Sequence, residues 1–311
     1  MALRRAALLS SALALAAPCA HAGLGPGNHS FALQHGGLDR SYIAHVPPGL
    51  SSPAPLVVAL HGGGGNAAGQ QKYSRMDELA DREGFVVLYP NGTGRLRDRL
   101  LTWNAGTCCG SAMRQQVDDV GFIAAAIDDL AARVALEPRR VYATGMSNGA
   151  MMAYRLGAEL PERIAAIAPV AGSMVFRGAP RAPVPVLHIH SVDDPRALYA
   201  GGLGPPFPMT TTRVLHPAVA ETLARWSAAN GCKGDPVEQE VRSGDGPNAG
   251  QTATLLSYPG CRAPLEHWKL TGAGHVWPGG QQKFLAGLLG RGTSLVDANA
   301  EMWRFFSHAR R

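Results

Sequence analysis

The sequence predicts an α/β fold: one mostly parallel central sheet with helices on both faces. Three observations carry that reading. Short apolar runs alternate with segments of helical periodicity along most of the chain, which is the pattern of strand–helix–strand units. The runs are continuously apolar, as in Pro55–Leu60 (PLVVAL) and Phe85–Tyr89 (FVVLY), as a sheet buried on both sides requires. Ser, Asp and His then follow three of these runs directly, at the strand ends where ligands bind on such sheets.

The elements follow in order. Residues 1–22 read as a signal peptide, with a basic start at Arg4 and Arg5 and an apolar stretch, Ala6–Ala17, too short to span a bilayer. Ala20-His21-Ala22 offers small residues where a signal peptidase reads, so cleavage is expected before Gly23. Acylation of Cys19 is the competing reading, but Ala16-Ala17-Pro18 is a poor lipobox. Residues 23–311 are expected to form a single catalytic domain. Tyr42–Val46, PLVVAL and FVVLY are the first strands, and Lys72–Glu83 is a helix. Val120, Ile123, Ile127, Leu130 and Val134 recur at intervals of three and four, which lays one helical face on the sheet. Arg140–Thr144 is a strand and Ala150–Leu160 a helix. Ile164–Val170 and Val184–Ile189 are strands, and Pro217–Asn230 is a helix. Thr252–Tyr258 and Glu266–Leu270 are the last strands before a closing helix, Ala298–Ser307.

Composition narrows the class. With 46% hydrophobic and 17% charged residues in 311, the chain is globular and large enough for a substantial core. Its net charge of +6 becomes +4 without Arg4 and Arg5. The basic residues are scattered, with no basic stripe and aromatic interleaving, so nucleic acid is not an expected partner. A basic rim suited to an anionic substrate stays open. No later segment reaches membrane-spanning length, so no membrane association is expected after cleavage; the residue pattern leaves oligomeric state unknown. Cys108, Cys109, Cys232 and Cys261 would remain, and four cysteines in an exported chain allow three pairings. The reading adopted pairs Cys232 with Cys261, closing a loop worth roughly 3.6 kcal/mol of chain entropy. Cys108 and Cys109 then form a vicinal bridge or stay reduced. No C-x-x-C pair exists, so no metal is expected.

The chemistry centres on Gly145-Met146-Ser147-Asn148-Gly149. A G-x-S-x-G match alone is weak, since chance supplies roughly 0.2 in a chain like this. The strand before it and the helix after it make it a nucleophile elbow, with Ser147 as nucleophile. A serine hydroxyl needs a base within reach, and His275 on the loop Thr271-Gly272-Ala273-Gly274 supplies one. The base needs a carboxylate to set its tautomer; Asp193 and Asp194 both follow a strand, and spacing does not separate them. His188 and His190 on that strand face one way and read as a packed, hydrogen-bonded pair ahead of a metal site. His61-Gly62-Gly63-Gly64-Gly65-Asn66 after PLVVAL is an oxyanion loop, with Gly63, Gly64 and Asn148 as backbone donors. A phosphate loop is the alternative, but no Walker pattern follows it. Trp277 is expected to wall the site.

These motifs, with Thr102–Gly110 (TWNAGTCCG), Val117–Phe122 (VDDVGF), Gly145–Met152 (GMSNGAMM) and Gly274–Gly279 (GHVWPG), resemble the secreted polyhydroxybutyrate depolymerase and feruloyl/acetylxylan esterase family. The resemblance spans nearly all of residues 23–311. It implies an α/β-hydrolase fold, no cofactor, and carboxylic ester hydrolysis through an acyl-enzyme. It implies Ser147 as nucleophile, His275 as base and, from His188–Asp194 (HIHSVDD), Asp194 as the acid; Ser191 stands where the family has glycine. Trp103 resembles an aromatic beside the cleft, with core packing as the alternative. Asp118 and Asp119 either cap the next helix or support the site. The chain ends soon after its last helix, so a separate polymer-binding domain is not expected. Substrates are then oligomeric or amorphous polyesters, or acylated plant-wall saccharides. The alternative is a peptidase or a hydrolase of an anionic polyamide such as poly(aspartic acid), with Arg95, Arg97 and Arg99 edging the cleft; a non-catalytic binding protein on the same fold is the third reading.

Overall fold

The continuous apolar runs become the centre of a ten-stranded sheet. In the computed structural model, residues 23–96, 98–207, 211–281 and 286–311 are described. The expected signal peptide, Arg97 and residues 208–210 lie outside the described residues. The strands are β1 (Gly27–His35), β2 (Leu38–Val46), β3 (Ala54–Leu60), β4 (Val86–Pro90), β5 (Leu136–Met146), β6 (Ala166–Val170), β7 (Val186–Ser191), β8 (Gly202–Leu203), β9 (Leu215–His216), β10 (Val237–Ser243), β11 (Thr252–Ser257) and β12 (Leu265–Thr271). The main sheet runs β1-β2-β4-β3-β5-β6-β7-β12-β11-β10. Its centre, β4 to β12, is parallel. Both flanks are antiparallel.

Every residue of β3 is buried, because each side faces a core. Leu56, Val58 and Leu60 join the core under helices α4 (Asp119–Ala131), α5 (Asn148–Glu159) and α6 (Val219–Asn230). Val57 and Ala59 join the opposite core under α1 (Ala67–Ser74), α2 (Met76–Glu83) and α8 (Ala298–Phe306). Two further helical pieces are single turns, α3 (Gly110–Arg114) and α7 (Ala286–Leu289). The expected fold class is therefore the observed one, and no helix among the described residues is long and apolar enough to cross a membrane.

Where the structure departs from expectation, a local interaction explains it. Lys72–Glu83 is two helices, because Arg75 adopts a left-handed conformation (φ 55°) and its N–H closes α1 on the Gln71 carbonyl. Its guanidinium forks onto Glu78 at 2.7 and 2.6 Å. Periodicity does not mark the start of α1, which is set by Asn66 accepting from Gly69 N–H and not by an apolar stripe. Strands β1 and β10 also lie outside the expected runs; both are sheet edges with polar, exposed positions. Cys232 is bridged to Cys261 as expected, and Cys108 to Cys109, the state the sequence leaves open.

Candidate active site

Ser147 joins β5 to α5 with φ 58° and ψ −120°, a conformation uncommon for a side-chain-bearing residue. It persists because the neighbours hold it: Ser147 N–H donates to the Val170 carbonyl at 2.9 Å, and its own carbonyl accepts from Met151 N–H at 3.0 Å. The flanking glycines are required by packing. A Cβ on Gly145 would lie 2.7 Å from the Gly149 carbonyl, and one on Gly149 would lie 2.4 Å from the Leu60 oxygen. The elbow thus packs against the end of β3, where the glycine loop begins. The hydroxyl makes no helix cap and the residue is half-buried.

The ends of β7 and β12 lie side by side, with Ser191 opposite Leu270, and bring Asp194 to His275. His275 Nδ1 donates to Asp194 Oδ2 at 2.7 Å, with both groups buried. Asp194 Oδ1 accepts from the backbone N–H groups of Arg196 and Ala197 at 2.7 and 2.8 Å. Burial alone would raise the Asp194 pKa, but His275 and His190 beside the carboxylate hold it well below the usual range. Asp193 plays a different part: it accepts from Gly272 N–H at 2.6 Å and ties the two loops together. Ser191 Oγ donates to the Ala273 carbonyl at 2.5 Å, so the residue that departs from the family pattern braces the His275 loop. Among the described residues no hydrogen bond joins the Ser147 hydroxyl to His275, a contact that in such sites often tightens only once substrate is bound.

The glycine loop sits against the elbow, and here one expectation is corrected. Gly64 N–H donates to the Leu101 carbonyl at 2.8 Å, so it is not available to an oxyanion. Gly63 lies against the elbow: a Cβ there would lie 3.6 Å from Asn148 Cβ. Asn148 opens α5, where a backbone N–H has no partner within the helix. His61 is buried and neutral, its pKa pushed down to about 4 by burial. It donates from Nδ1 to the Gly62 carbonyl and accepts Gly92 N–H on Nε2 at 3.0 Å.

The two tryptophans expected at the substrate are both buried. Trp103 is fully buried; its indole donates to the His61 carbonyl at 2.9 Å and its ring lies 4.8 Å from the His61 ring. Its backbone is gripped by the Asn148 side chain, which accepts from Trp103 N–H at 2.7 Å and donates to Trp103 O at 3.2 Å. Trp277 is buried in the opposite core and donates to Asn299. Large indoles pack where they remove most apolar surface from water, and both serve as braces. Phe207, on the loop between β8 and β9, lies against the glycine loop: a Cβ on Gly63 would lie 3.5 Å from its ring. Nothing in the residue pattern marks it, because that loop has no periodicity.

The loop bearing Trp103 is pinned from behind by a residue that no sequence motif flags. Arg40 donates to Asp119 Oδ1 at 2.7 Å with both side chains buried, and its guanidinium lies 3.7 Å over the Phe122 ring. Asp119 Oδ2 accepts Asn104 N–H at 2.7 Å. Asp118 instead caps α4, accepting Gly121 N–H at 2.9 Å. The twin acids therefore take one expected role each. Removing one partner of a buried ion pair strands the other charge, so Arg40→Met is expected to reduce unfolding free energy by about 3–5 kcal/mol. Urea denaturation reads this directly, and a loss below about 1 kcal/mol would show that the pair is not holding the loop.

Comparison with known proteins places this chain in a class. The acetyl xylan esterase from Aspergillus awamori shares the fold, with a TM-score of 0.55 at 18% identity over 86% of this chain and 94% of that one. A protein named "Putative esterase NocK", from Nocardia uniformis subsp. tsuyamanensis, is 30% identical over 276 residues, which cover 82% of this chain and 75% of that one. The bifunctional acetylxylan esterase/xylanase XynS20E of Neocallimastix patriciarum is 34% identical over 161 residues, 51% of this chain and 22% of that protein. The fold and these likenesses define an α/β-hydrolase that is a carboxylic ester hydrolase. Residues 40–220 match the family described as esterase PHB depolymerase. The chain belongs to that family.

Proposed function

We propose that Ser147, His275 and Asp194 form a nucleophile–base–acid triad that cleaves carboxylic esters through an acyl-enzyme. The observation that carries this reading is the Asp194–His275 pair, 2.7 Å apart, at the same edge of the sheet as the strained Ser147 elbow. Donation of Nδ1–H to Asp194 leaves the His275 Nε2 lone pair free to take the Ser147 proton. Ser147 Oγ then attacks the ester carbonyl, and the oxyanion is met by the N–H groups of Asn148 and Gly63. His275 returns the proton to the leaving alcohol, and water, activated the same way, releases the acid.

Phe207 stands against Gly63, and an aromatic ring there favours a hydrophobic acyl chain, as in polyhydroxybutyrate-type oligoesters or feruloyl esters, over an anionic polyamide. The reading includes export by the 1–22 leader as a single domain, 23–311, in an oxidising compartment that suits the two bridges. A fluorophosphonate probe is expected to label one site, the peptide containing Ser147. Labelling elsewhere, or none, overturns the triad. Rates on methyl ferulate, acetylated xylan, amorphous polyhydroxybutyrate and polyaspartate then rank the substrates, with polyaspartate expected last.

A further inference from the structure

We infer that His190 is a positioning residue for the Asp194–His275 pair, the last donor of a one-way hydrogen-bond chain running Tyr154–His188–His190–Asp194. The inference rests on the reading of Asp194 as the carboxylate that orients His275. Its direction follows from one atom. The Ala197 carbonyl can only accept, and His190 Nε2 lies 2.8 Å from it, so Nε2 carries the proton. That same nitrogen lies 3.2 Å from Asp194 Oδ2, and its hydrogen is shared between the two oxygens. A neutral imidazole protonated on Nε2 has a lone pair on Nδ1, which at 3.2 Å accepts from His188 Nε2. His188 Nδ1 is then the acceptor for the Tyr154 hydroxyl at 2.8 Å. Every donor points at the carboxylate, and aligned bonds of this kind polarise one another.

The surroundings keep the chain in that state. His188 is fully buried, and burial with the neighbouring His267 and His190 rings keeps it neutral. His267 donates from Nδ1 to the His188 carbonyl at 3.2 Å and accepts from the Tyr199 hydroxyl at 3.0 Å, so its tautomer is set as well. Both ring nitrogens of His188 and His190 are thereby engaged. Around Asp194 the titratable and charged groups are His275, His190, His216 and Arg196. Of these, His275 and His190 reach Oδ2, while Oδ1 is held by two backbone N–H groups. The carboxylate therefore cannot turn away as charge builds on His275. The His190 donor also draws negative charge from Oδ2, which weakens the hold of Asp194 on a proton at His275.

Two measurements on the full chain test this. Two-bond proton–nitrogen correlation on histidine-labelled wild type is expected to show His188 and His190 protonated on Nε2 and bare on Nδ1. His190→Phe keeps the volume and removes the donor; kcat on p-nitrophenyl butyrate is expected to fall about ten- to a hundredfold with KM unchanged. The acid limb of its kcat/KM profile is expected to move to higher pH, and His190→Gln, whose amide N–H reaches the same acceptors, to recover most of the rate. Wild-type kcat and acid limb in His190→Phe, or a proton on His190 Nδ1, would overturn the inference. If His190→Phe does not fold, Tyr154→Phe serves: a severalfold loss and a shifted His190 Nε2 resonance are expected, and neither changing overturns it. Full activity of Asp194→Asn would instead sink the triad reading itself, so the two failures are distinguishable.

Discussion

Ser147→Ala is expected to lower kcat on p-nitrophenyl esters by about 10⁵- to 10⁶-fold while leaving the fold and KM nearly intact. The size follows from the division of labour at the elbow. In the proposed triad Ser147 supplies the atom that forms the covalent bond, and no other hydroxyl is held at that turn between Gly145 and Gly149. Removing it leaves the proposed backbone donors of Asn148 and Gly63, which by themselves are expected to favour attack by water by about 10³- to 10⁴-fold. The hydroxyl makes no helix cap and the backbone bonds of Ser147 survive the change, so melting should move little. Equal rates in wild type and variant would show that the hydrolysis lies elsewhere on the chain.

Asp194→Asn is expected to cost about 10⁴-fold in kcat, and the structure says why an isosteric change does so much. Oδ1 accepts from two backbone N–H groups, so the amide oxygen of an asparagine must occupy that position. Its NH₂ group then faces His275 Nδ1, where a lone pair is now needed. The imidazole is driven to the tautomer protonated on Nε2 and loses the site that takes the Ser147 proton. The same NH₂ also opposes the His190 donor, 3.2 Å from Oδ2 in the native protein. Steady-state kinetics with a parallel melt separate the loss of base from loss of fold; a kcat within tenfold of wild type would dismiss Asp194 as the orienting acid. The carboxylate also shapes acid stability. Its folded-state pKa is depressed, so its contribution is fully present above about pH 4 and is lost as pH falls through the lower folded value.

The parts of the site that follow strands are legible because strand ends in a doubly covered sheet are where a backbone turns and presents a side chain. Ser147, His275 and the glycine loop stand there in the residue pattern itself. Asp193 and Asp194 are not separable by spacing, since both follow β7; their side chains part only because Gly272 N–H lies 2.6 Å from one and His275 2.7 Å from the other. Gly64 escapes the pattern for a similar reason: whether its backbone N–H is free depends on the carbonyl of Leu101, in a separate loop. Trp103 and Trp277 look alike in composition to cleft-lining aromatics, and their burial is set by the His61 loop and by α8 closing over them.

By itself the sequence determined the layered α/β architecture and which residue types stand at the strand ends, because hydrophobic periodicity and chain order are local properties; the family followed from the resemblance of its motifs. Only the tertiary structure decided which donors are free, that Asp193 is drawn to Gly272 while Asp194 meets His275 as the resemblance implied, and that Arg40, Phe207 and the Tyr154–His188–His190 chain surround the site. Those facts depend on distances between residues far apart in sequence. No local pattern encodes them, because a hydrogen bond between distant residues exists only once the sheet has brought its strands into register.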